Sequence, residues 1–271
     1  MNYRHSFHAG NFADLVKHAL LLRLLAERQA AGPIVVFDTH AGAGLYDLTG
    51  DAARSKEAEA GVARLMAAED GLPPAIRALA DQVAALNPGG GVRFYPGSPL
   101  LTARALRPGD AYRGFELRDE VKGLLDEALA DFPNATAQGG DGYDGLIPAM
   151  GGVTNALVLI DPPYERGDDY HRAADAAIAA RRADPAAVVA IWTPLKDLET
   201  FDGFLRRLAP AGPALVAEAR LRPLTNPMKM NGCAMVVLGA SSAIEAAANE
   251  VCGWVATTLG DAGAKAEVWR A

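Results

Sequence analysis

Four consecutive residues near the middle of the chain, Asp161-Pro162-Pro163-Tyr164, carry groups suited to binding an amine. They follow an apolar run, residues 156–160, that predicts a buried strand. Because the two prolines lack an N–H and fix φ at about −65°, neither a strand nor a helix continues through them. The corner therefore offers the Asp161 carboxylate and the Pro162 carbonyl to the two N–H bonds of an exocyclic amine, and the Tyr164 ring to a base. An ordinary strand-to-loop corner is the alternative interpretation.

A glycine-containing loop follows the first predicted strand, residues 34–38. Gly42 and Gly44 lie where a chain approaches a ligand closely, at the carboxyl end of a strand. A nicotinamide-dependent dehydrogenase is the competing interpretation, but its fingerprint needs a Gly or Ala three residues after Gly44, where this chain has Asp47. His40 has only small neighbours in this loop, so we expect it to contact the same ligand, with a spacer as the alternative.

Acidic residues end two further predicted strands. Glu116 closes the strand predicted for residues 112–117, and Asp141-Gly142 follow the strand predicted for residues 135–138. Glu116 is suited to accept hydrogen bonds from both hydroxyls of a ribose, and Asp141 from an adenine amine. Because such strand ends converge on one crevice in a doubly wound sheet, we expect a nucleoside-containing cofactor there. A solvated loop carboxylate is the alternative for each.

The N-terminal residues 3–11 combine aromatic, cationic and imidazole groups. Residues 11–29 then predict a helix capped by Asn11. One face of this helix carries three ionisable groups and a leucine: Asp14, Lys17, His18 and Leu21. For Lys17 and His18, this spacing is as consistent with a role in a pocket as with a solvated helix face.

An α/β fold with a mostly parallel sheet is expected to position these groups. Strands are predicted at residues 34–38, 92–95, 112–117, 135–138, 156–161, 186–192, 214–221 and 233–238. The last two are joined by too few residues for a helical crossover, so we expect an antiparallel pair with the last strand inserted against the parallel ones. Residues 51–91 predict a helical insertion after the glycine loop. The chain is predicted to be a single domain, residues 1–271.

Composition narrows the class of protein. With 271 residues, 50% of them hydrophobic and 22% charged, the chain is typical of a folded globular protein. Its two cysteines lack metal-type spacing, which argues against a disulfide framework or a zinc site and favours a reducing cytoplasm. No apolar run is long enough for a membrane span or typical of a signal segment. A net charge of −7 argues against a general nucleic-acid binder but permits a basic rim around one pocket.

Five motifs, in this order, resemble those of the RlmJ family of bacterial 23S ribosomal RNA adenine-N6 methyltransferases. They lie at residues 3–11, 14–18, 38–44, 95–99 and 161–165. The resemblance spans nearly the whole chain. It implies a Rossmann-like class I methyltransferase fold with a mostly parallel seven-stranded sheet, an antiparallel last strand and a small helical insertion subdomain.

The resemblance also implies S-adenosylmethionine as the cofactor and 23S ribosomal RNA as the partner, without a metal or a membrane. It implies cofactor contacts from six residues, to which the loop glycines are added: His18, His40, Ser98, Glu116, Asp141 and Asp161, with Gly42, Gly44 and Gly142. Catalysis is expected from Asp161, Pro162 and Tyr164. Tyr3 is implied to meet the substrate, and the other candidate RNA contacts are Arg4, His5, Lys17 and Lys229.

Two alternatives stay open at this point. The motif at residues 161–164 is similar to that of amino-methyltransferases acting on nucleobases in general, so a DNA adenine-N6 methyltransferase has the same signature. A cofactor-binding ribosome-assembly factor that has lost catalysis is the third hypothesis. We expect a monomeric protein, because nothing in the sequence indicates an obligate interface.

Overall fold

Strands and helices alternate along most of the chain. The computed structural model describes residues 7–49, 55–68, 71–225 and 230–271. The strands are β1 (Val35–Asp38), β2 (Leu45–Asp47), β3 (Phe94–Pro96), β4 (Ala111–Glu116), β5 (Ala135–Gly139), β6 (Ala156–Ile160), β7 (Val188–Pro194), β8 (Ala214–Arg220), β9 (Gly232–Leu238) and β10 (Lys265–Arg270). The helices are α1 (Phe12–Ala30), α2 (Arg64–Ala67), α3 (Pro74–Leu86), α4 (Ser98–Ala105), α5 (Asp119–Leu129), α6 (Gly142–Met150), α7 (Asp169–Ala183), α8 (Leu198–Leu208) and α9 (Ser242–Leu259).

The main sheet has the strand order β10-β8-β9-β7-β6-β1-β4-β5. Neighbouring strands from β7 to β5 run parallel, and β9 lies antiparallel between β7 and β8, as the short connection before it predicts. The expected count of seven strands is wrong, because the described residues form an eight-stranded sheet. The additional strand, β10, pairs antiparallel with β8 at the edge, where its residues are only partly buried and give no strong apolar run.

The strand predicted at residues 92–95 does not join the main sheet. It corresponds to β3, which pairs with β2 in a separate two-stranded sheet through Tyr46 and Tyr95. β2 begins directly after Gly44 and has three residues, too few to give a recognisable alternation. This small sheet closes the glycine loop against the start of α4.

Helices cover both faces of the main sheet. On one face, α1, α3, α4, α5 and α9 share a core with Leu157 and Leu159 of β6. On the other, α6, α7 and α8 pack against Val158 and Ile160 of the same strand. Because side chains alternate along a strand, the continuous apolar run of β6 serves both cores at once. This confirms the α/β class and explains why β6 is buried along its whole length.

Helix α1 begins where the sequence predicts. The Asn11 side chain accepts hydrogen bonds from the backbone N–H groups of Ala13 and Asp14, which caps the helix. The face with Asp14, Lys17 and His18 is buried rather than solvated, because the helix lies between the insertion and the sheet. Three ionisable side chains are therefore held inside the protein at the start of α1.

The predicted insertion, residues 51–91, contains a π-helical turn at Glu59–Ala63 followed by α2 and α3. It packs against α1 and α9 rather than standing apart. The backbone N–H of Val62 donates to Gly10 O at 2.8 Å, and Arg64 donates to the carbonyls of Thr258 and Leu259. The single-domain organisation stays a prediction. No helix among the described residues has both the length and the apolar character needed to cross a membrane.

Replacing Gly61 by Ala tests the contact between the insertion and α1. An added Cβ would lie 2.2 Å from Gly10 O and 2.9 Å from Asn11 Cα, both backbone atoms. We expect the free energy of unfolding to fall by about 2–3 kcal/mol in urea denaturation. Gly123→Ala, on α5 with open space around it, is the control and should be neutral or stabilising by about 0.5–1 kcal/mol. Equal effects of the two substitutions would contradict the close packing.

Candidate active site

A cavity of about 810 Å³ opens at the carboxyl ends of β1, β4, β5 and β6. The chain order reverses between β1 and β6, so the loops after these strands lie side by side, with Thr39 N donating to Leu159 O at 3.0 Å. A crevice at such a reversal is the usual ligand site of an open α/β sheet. The site residues predicted from the sequence that line it are Lys17, His18, His40, Gly42, Ser98, Glu116, Asp141, Gly142, Asp161 and Pro162.

Lys17 lies between two carboxylates. Its Nζ is 2.7 Å from Asp14 Oδ1 and 2.6 Å from Asp161 Oδ2, and the residue is 4% exposed. Burial alone would lower the pKa of Lys17, but the charges of Asp14 and Asp161 outweigh it and raise this pKa well above its ordinary value. Lys17 was expected to contact the substrate. In the structure its ammonium is bonded to Asp161, and the predicted substrate contact of Lys17 stays a prediction.

The Asp161 carboxylate is held at one oxygen only. Oδ2 accepts from Lys17, whereas Oδ1 makes no hydrogen bond to any residue in the described part of the chain. The side chain is 13% exposed and lines the cavity with the prolines that follow it. Because an ionised carboxylate has several acceptor positions, Oδ1 can accept an N–H from a bound amine while Oδ2 stays paired.

The glycine loop is shaped by its own neighbours as much as by a ligand. Gly42 has φ +68°, and a Cβ there would lie 2.4 Å from Tyr46 Oη. Gly44 has φ +76°, and its missing side chain leaves room for Leu125 and Ala128 of α5. Gly44 therefore lies outside the cavity lining. Of the two predicted glycine contacts, the structure brings only Gly42 to the cavity.

Glu116 ends β4 at the cavity wall. Its Oε2 accepts from Gly42 N at 3.1 Å and its Oε1 from Arg118 N at 2.9 Å. Each oxygen is thus fixed by one backbone N–H and retains a further acceptor position. The side chain is 13% exposed, so these two acceptor positions are presented to the cavity as a rigid pair.

Asp141 is more constrained than the sequence indicated. Its Oδ1 caps α6 by accepting from Tyr143 N at 2.9 Å, and its Oδ2 lies 2.9 Å from Arg172 Nη2. The Arg172 guanidinium also lies 4.4 Å from the centroid of the Tyr143 ring. Next to it, a Cβ on Gly142 would lie 1.9 Å from Thr39 O, so only glycine fits where the two strand-end loops touch.

His40 lines the cavity as a neutral imidazole. Burial lowers its pKa to about 4, outweighing the nearby carboxylates of Asp161 and Asp141. Its Nδ1 is 2.8 Å from Thr39 Oγ1, and its ring meets that of Tyr143 edge-on at 4.7 Å. A neutral imidazole can donate from one nitrogen and accept at the other, so His40 contributes hydrogen bonding without charge.

His18 reaches the cavity from α1. It is 1% exposed, and its Nδ1 lies 2.8 Å from Tyr95 Oη, with the two ring centroids 5.5 Å apart. Tyr95 belongs to the small sheet, so this contact ties α1 to the loop region around the cavity. The predicted cofactor contact of His18 stays a prediction.

Tyr164 does not present its ring to the cavity. It is 6% exposed, has φ +51° and donates its hydroxyl hydrogen bond to Trp192 O at 2.7 Å. Its ring centroid lies 4.5 Å from that of Tyr170 and 5.9 Å from that of Trp192. The stacking role expected for Tyr164 differs from this arrangement, because an aromatic cluster from β7 and α7 encloses the ring. Its hydroxyl ties the corner that carries Asp161 to Trp192 of β7, and the catalytic role of Tyr164 stays a prediction.

Comparison with known proteins identifies the family. The family model described as "Ribosomal RNA large subunit methyltransferase D, RlmJ" matches residues 31–271. The chain is 32% identical over 270 residues to Ribosomal RNA large subunit methyltransferase J of Escherichia coli strain K12, covering 97% of this chain and 95% of that protein. This chain belongs to the RlmJ family. The resemblance seen in the five sequence motifs is thus confirmed.

Two further proteins are similar to this RlmJ-family chain over nearly its whole length. Ribosomal RNA large subunit methyltransferase J of Haemophilus influenzae is 31% identical over 265 residues, 96% of this chain and 94% of that protein. The crystal structure of a Legionella pneumophila protein has a TM-score of 0.86 at 25% identity, covering 97% of this chain and 98% of that one. Nearly the whole fold is therefore shared with a solved structure.

The structure does not describe several of the residues of this RlmJ-family chain that are predicted to contact RNA. Tyr3, Arg4, His5 and Lys229 lie outside the described residues. Two basic residues near the end of β8, Arg220 and Arg222, form ion pairs with Glu218 and Asp261. Lys196 is exposed beside the corner, with its Nζ 3.5 Å from Tyr164 O.

Asp38 is a site residue that the sequence reasoning did not select. It is 1% exposed below the cavity, where Oδ2 accepts from Ser98 Oγ at 2.6 Å and from Tyr112 Oη at 3.1 Å. Burial raises its pKa to about 6 in spite of these hydrogen bonds. Ser98 therefore uses its hydroxyl proton on Asp38 and faces the cavity as an acceptor. The available signal was the position of Asp38 at the end of β1, directly before the glycine loop.

The sequence reasoning also did not select an apolar ledge beside Glu116, formed by Leu117, Val121 and Leu124. Leu117 is 65% exposed and Leu124 is 52% exposed, and both line the cavity with Val121. Single exposed leucines are common, but several at the edge of one cavity form a surface suited to the flat face of a base. No sequence pattern marks them, because α5 must first fold beside the end of β4.

Replacing Asp38 by Asn is expected to remove a pH-dependent loss in the free energy of unfolding. The folded pKa of about 6 exceeds the ordinary value of 3.8, so the folded state binds more protons between those values, and stability is lost as the pH rises through about 6. Relative to wild type, the variant should gain about 2 kcal/mol in free energy of unfolding between pH 4 and pH 7. Urea denaturation at both pH values measures this.

Asp202→Asn is the control for that experiment, because Asp202 is exposed on α8. The difference in free energy of unfolding between Asp202→Asn and wild type should stay constant over the same pH range. A constant difference for Asp38→Asn as well would show that Asp38 titrates normally in the folded protein.

Proposed function

We propose that this chain methylates the exocyclic N6 amine of an adenine in 23S ribosomal RNA, with S-adenosylmethionine as the methyl donor. One observation carries the proposal: at the cavity, Asp161 keeps Oδ1 available while Lys17 holds Oδ2 at 2.6 Å. Membership of a family of ribosomal RNA large subunit methyltransferases supports RNA as the substrate.

The cavity residues suit an adenosyl sulfonium cofactor. The fixed oxygens of Glu116 can accept from two ribose hydroxyls, and the Leu117–Leu124 ledge beside it can hold the adenine ring. The backbone of Gly42 lines the cavity beside Glu116, so a ribose bound there can approach it closely. The carboxylate of Asp161 in the cavity lining and that of Asp38 buried below it favour a cationic group in the cavity. A volume of about 810 Å³ admits a target base as well.

Asp161 and Pro162 act on the target amine. The lone pair of an adenine amine is delocalised into the ring, which makes the nitrogen a poor nucleophile. Accepting its two N–H bonds at Asp161 Oδ1 and the Pro162 carbonyl pulls electron density toward nitrogen and fixes the direction of its lone pair. When bound, S-adenosylmethionine supplies an electrophilic methyl group. Asp161 can then accept a proton from the methylated, cationic nitrogen.

Lys17 and Tyr164 position these acceptors. The Lys17 ammonium fixes Oδ2, so the Asp161 carboxylate cannot rotate away from the amine. The Tyr164 hydroxyl donates a hydrogen bond to Trp192 O at 2.7 Å and so fixes the corner to β7. Neutral His40 lines the same cavity without opposing the cationic methyl donor. For the target base, unstacking costs a few kcal/mol, which favours an unpaired adenine.

RNA contact is assigned to the rim of the cavity. Exposed Lys196 lies beside the corner, and Arg4, His5, Tyr3 and Lys229 are retained as substrate residues from the sequence. A local basic rim is needed because the net charge of the chain is −7. A cytoplasmic, monomeric protein acting on ribosomal RNA fits this assignment.

Substituting Asp161 by Ala tests the function. Purified protein, labelled S-adenosylmethionine and 23S RNA from a strain lacking the enzyme are combined, and the modified nucleoside is identified by mass. Wild type should form N6-methyladenosine at one site, and Asp161→Ala should lower the rate by at least about 100-fold, because the amine loses its charged acceptor. Asp175→Ala, which removes an exposed carboxylate of α7 that pairs with Arg207 of α8, should retain activity.

The alternatives give different results. Methylation of a DNA control but not of RNA would contradict the substrate while keeping the chemistry. Cofactor binding with no methylation of either nucleic acid would favour a non-catalytic assembly factor.

A further inference from the structure

Arg172 of α7 lies in the wall of the cavity, with its side chain 26% exposed. Its Nη2 is 2.9 Å from Asp141 Oδ2 and 3.6 Å from Asp144 Oδ1. The Asp144 side chain is 83% exposed, so water weakens its attraction to Arg172, whereas the closer pair with Asp141 is partly shielded. The guanidinium therefore acts mainly on Asp141.

An aromatic ring fixes the guanidinium from a second side. The Arg172 guanidinium lies 4.4 Å from the centroid of the Tyr143 ring, which meets His40 edge-on at 4.7 Å. A planar guanidinium held by both a ring and a carboxylate has little freedom to rotate. Because Asp141 Oδ1 accepts from Tyr143 N at 2.9 Å, both oxygens of this carboxylate are held. Each oxygen keeps a further acceptor position.

The Asp141 carboxylate lies next to the proposed ribose acceptor. Glu116 is in register with Gly139, and Gly140 N donates to Glu116 O at 3.1 Å, directly before Asp141. An adenosine whose ribose hydroxyls bind Glu116 therefore has its base within reach of Asp141. In adenosine, the exocyclic amine is the one donor of the base, so a carboxylate at this place selects that amine.

Helix α7 connects this end of the cavity to the corner that carries the catalytic carboxylate. In the turn between the corner and the helix, Asp169 Oδ2 accepts from Arg166 N at 3.0 Å. Tyr170, at the start of α7, has its ring centroid 4.5 Å from that of Tyr164 in the corner. Arg172 follows two residues later. Its position is therefore set by the same segment that anchors the corner.

We propose that Arg172 is a positioning residue for the cofactor: by holding Asp141, it fixes the acceptor for the amine of the adenosyl group. The inference rests on the proposed cofactor site and adds a residue that the sequence reasoning did not select. Because the Arg172–Asp141 pair is neutral overall, this end of the cavity selects an uncharged base by hydrogen bonding. The effect of Arg172 passes through Asp141.

The chain provides a matched control for the test. Arg172→Met removes the guanidinium and keeps an unbranched side chain, and Arg182→Met makes the same change at an exposed position on the same helix. The two ligands are S-adenosylhomocysteine and its 6-deamino analogue, which has hydrogen in place of the amine. The ratio of their Kd values, measured by calorimetry, reports the amine alone, because every other part of the ligand is shared.

Wild type should bind S-adenosylhomocysteine more tightly than the 6-deamino analogue. Arg172→Met should lower this preference about tenfold, because Asp141 loses the charge-assisted contact that orients it. Arg182→Met should keep the wild-type preference. A merely structural role of Arg172 would weaken the binding of both ligands equally and leave the ratio unchanged. An unchanged ratio in Arg172→Met would overturn the inference.

A double-mutant cycle tests whether the effect passes through Asp141. Asp141→Ala should abolish the preference for the amine, and adding Arg172→Met in that background should cause no further change in the ratio. A further change there, or a wild-type ratio close to one, would contradict the proposed role. These measurements need no RNA. If wild type binds S-adenosylhomocysteine but methylates no RNA, the proposed function fails, and the Kd ratios still decide the role of Arg172.

Discussion

The burial of the Lys17 ammonium between Asp14 and Asp161 is the interaction on which the site depends. Ions taken out of water cost several kcal/mol each unless they are paired closely and bonded further. Asp14 is accordingly also bonded to Gly10 N, at the turn capped by Asn11. The start of α1, the corner after β6 and the docked insertion thus form one continuous set of polar contacts within an apolar core. Changing any part of this set shifts the carboxylate that faces the cavity.

The sequence predicted the parts of the fold that are governed by local chemistry. The Asn11 cap, the apolar run of β6 and the proline corner each use residues close to one another in the chain, and all three are found in the structure. The antiparallel insertion of β9 followed from the length of one connection. β2 and β10 were missed because they are short or half-buried, and pairing with distant strands makes them regular.

The site was predicted as a set of residue types but not as a set of contacts. The carboxyl ends of parallel strands lie at the same edge of a sheet. Glu116, Asp141 and Asp161 could therefore be assigned to one site from the sequence. The ion pair of Lys17 with Asp161 could not be predicted, because the two residues are 144 positions apart. Tyr164 was expected to face a base, but its environment comes from Tyr170 and Trp192, which no spacing rule connects to it.

The charge balance around Lys17 has a consequence for turnover. Asp14 and Asp161 pair with the Lys17 ammonium, Asp38 is buried below the cavity, and His40 at the same cavity is neutral. A pocket with this excess of negative charge holds a cationic occupant more tightly than a neutral one of the same shape. Methyl transfer converts a positively charged sulfonium into an uncharged thioether. The reaction thereby removes the attraction that retained the cofactor, and the spent molecule is released by the same electrostatics that selected its precursor.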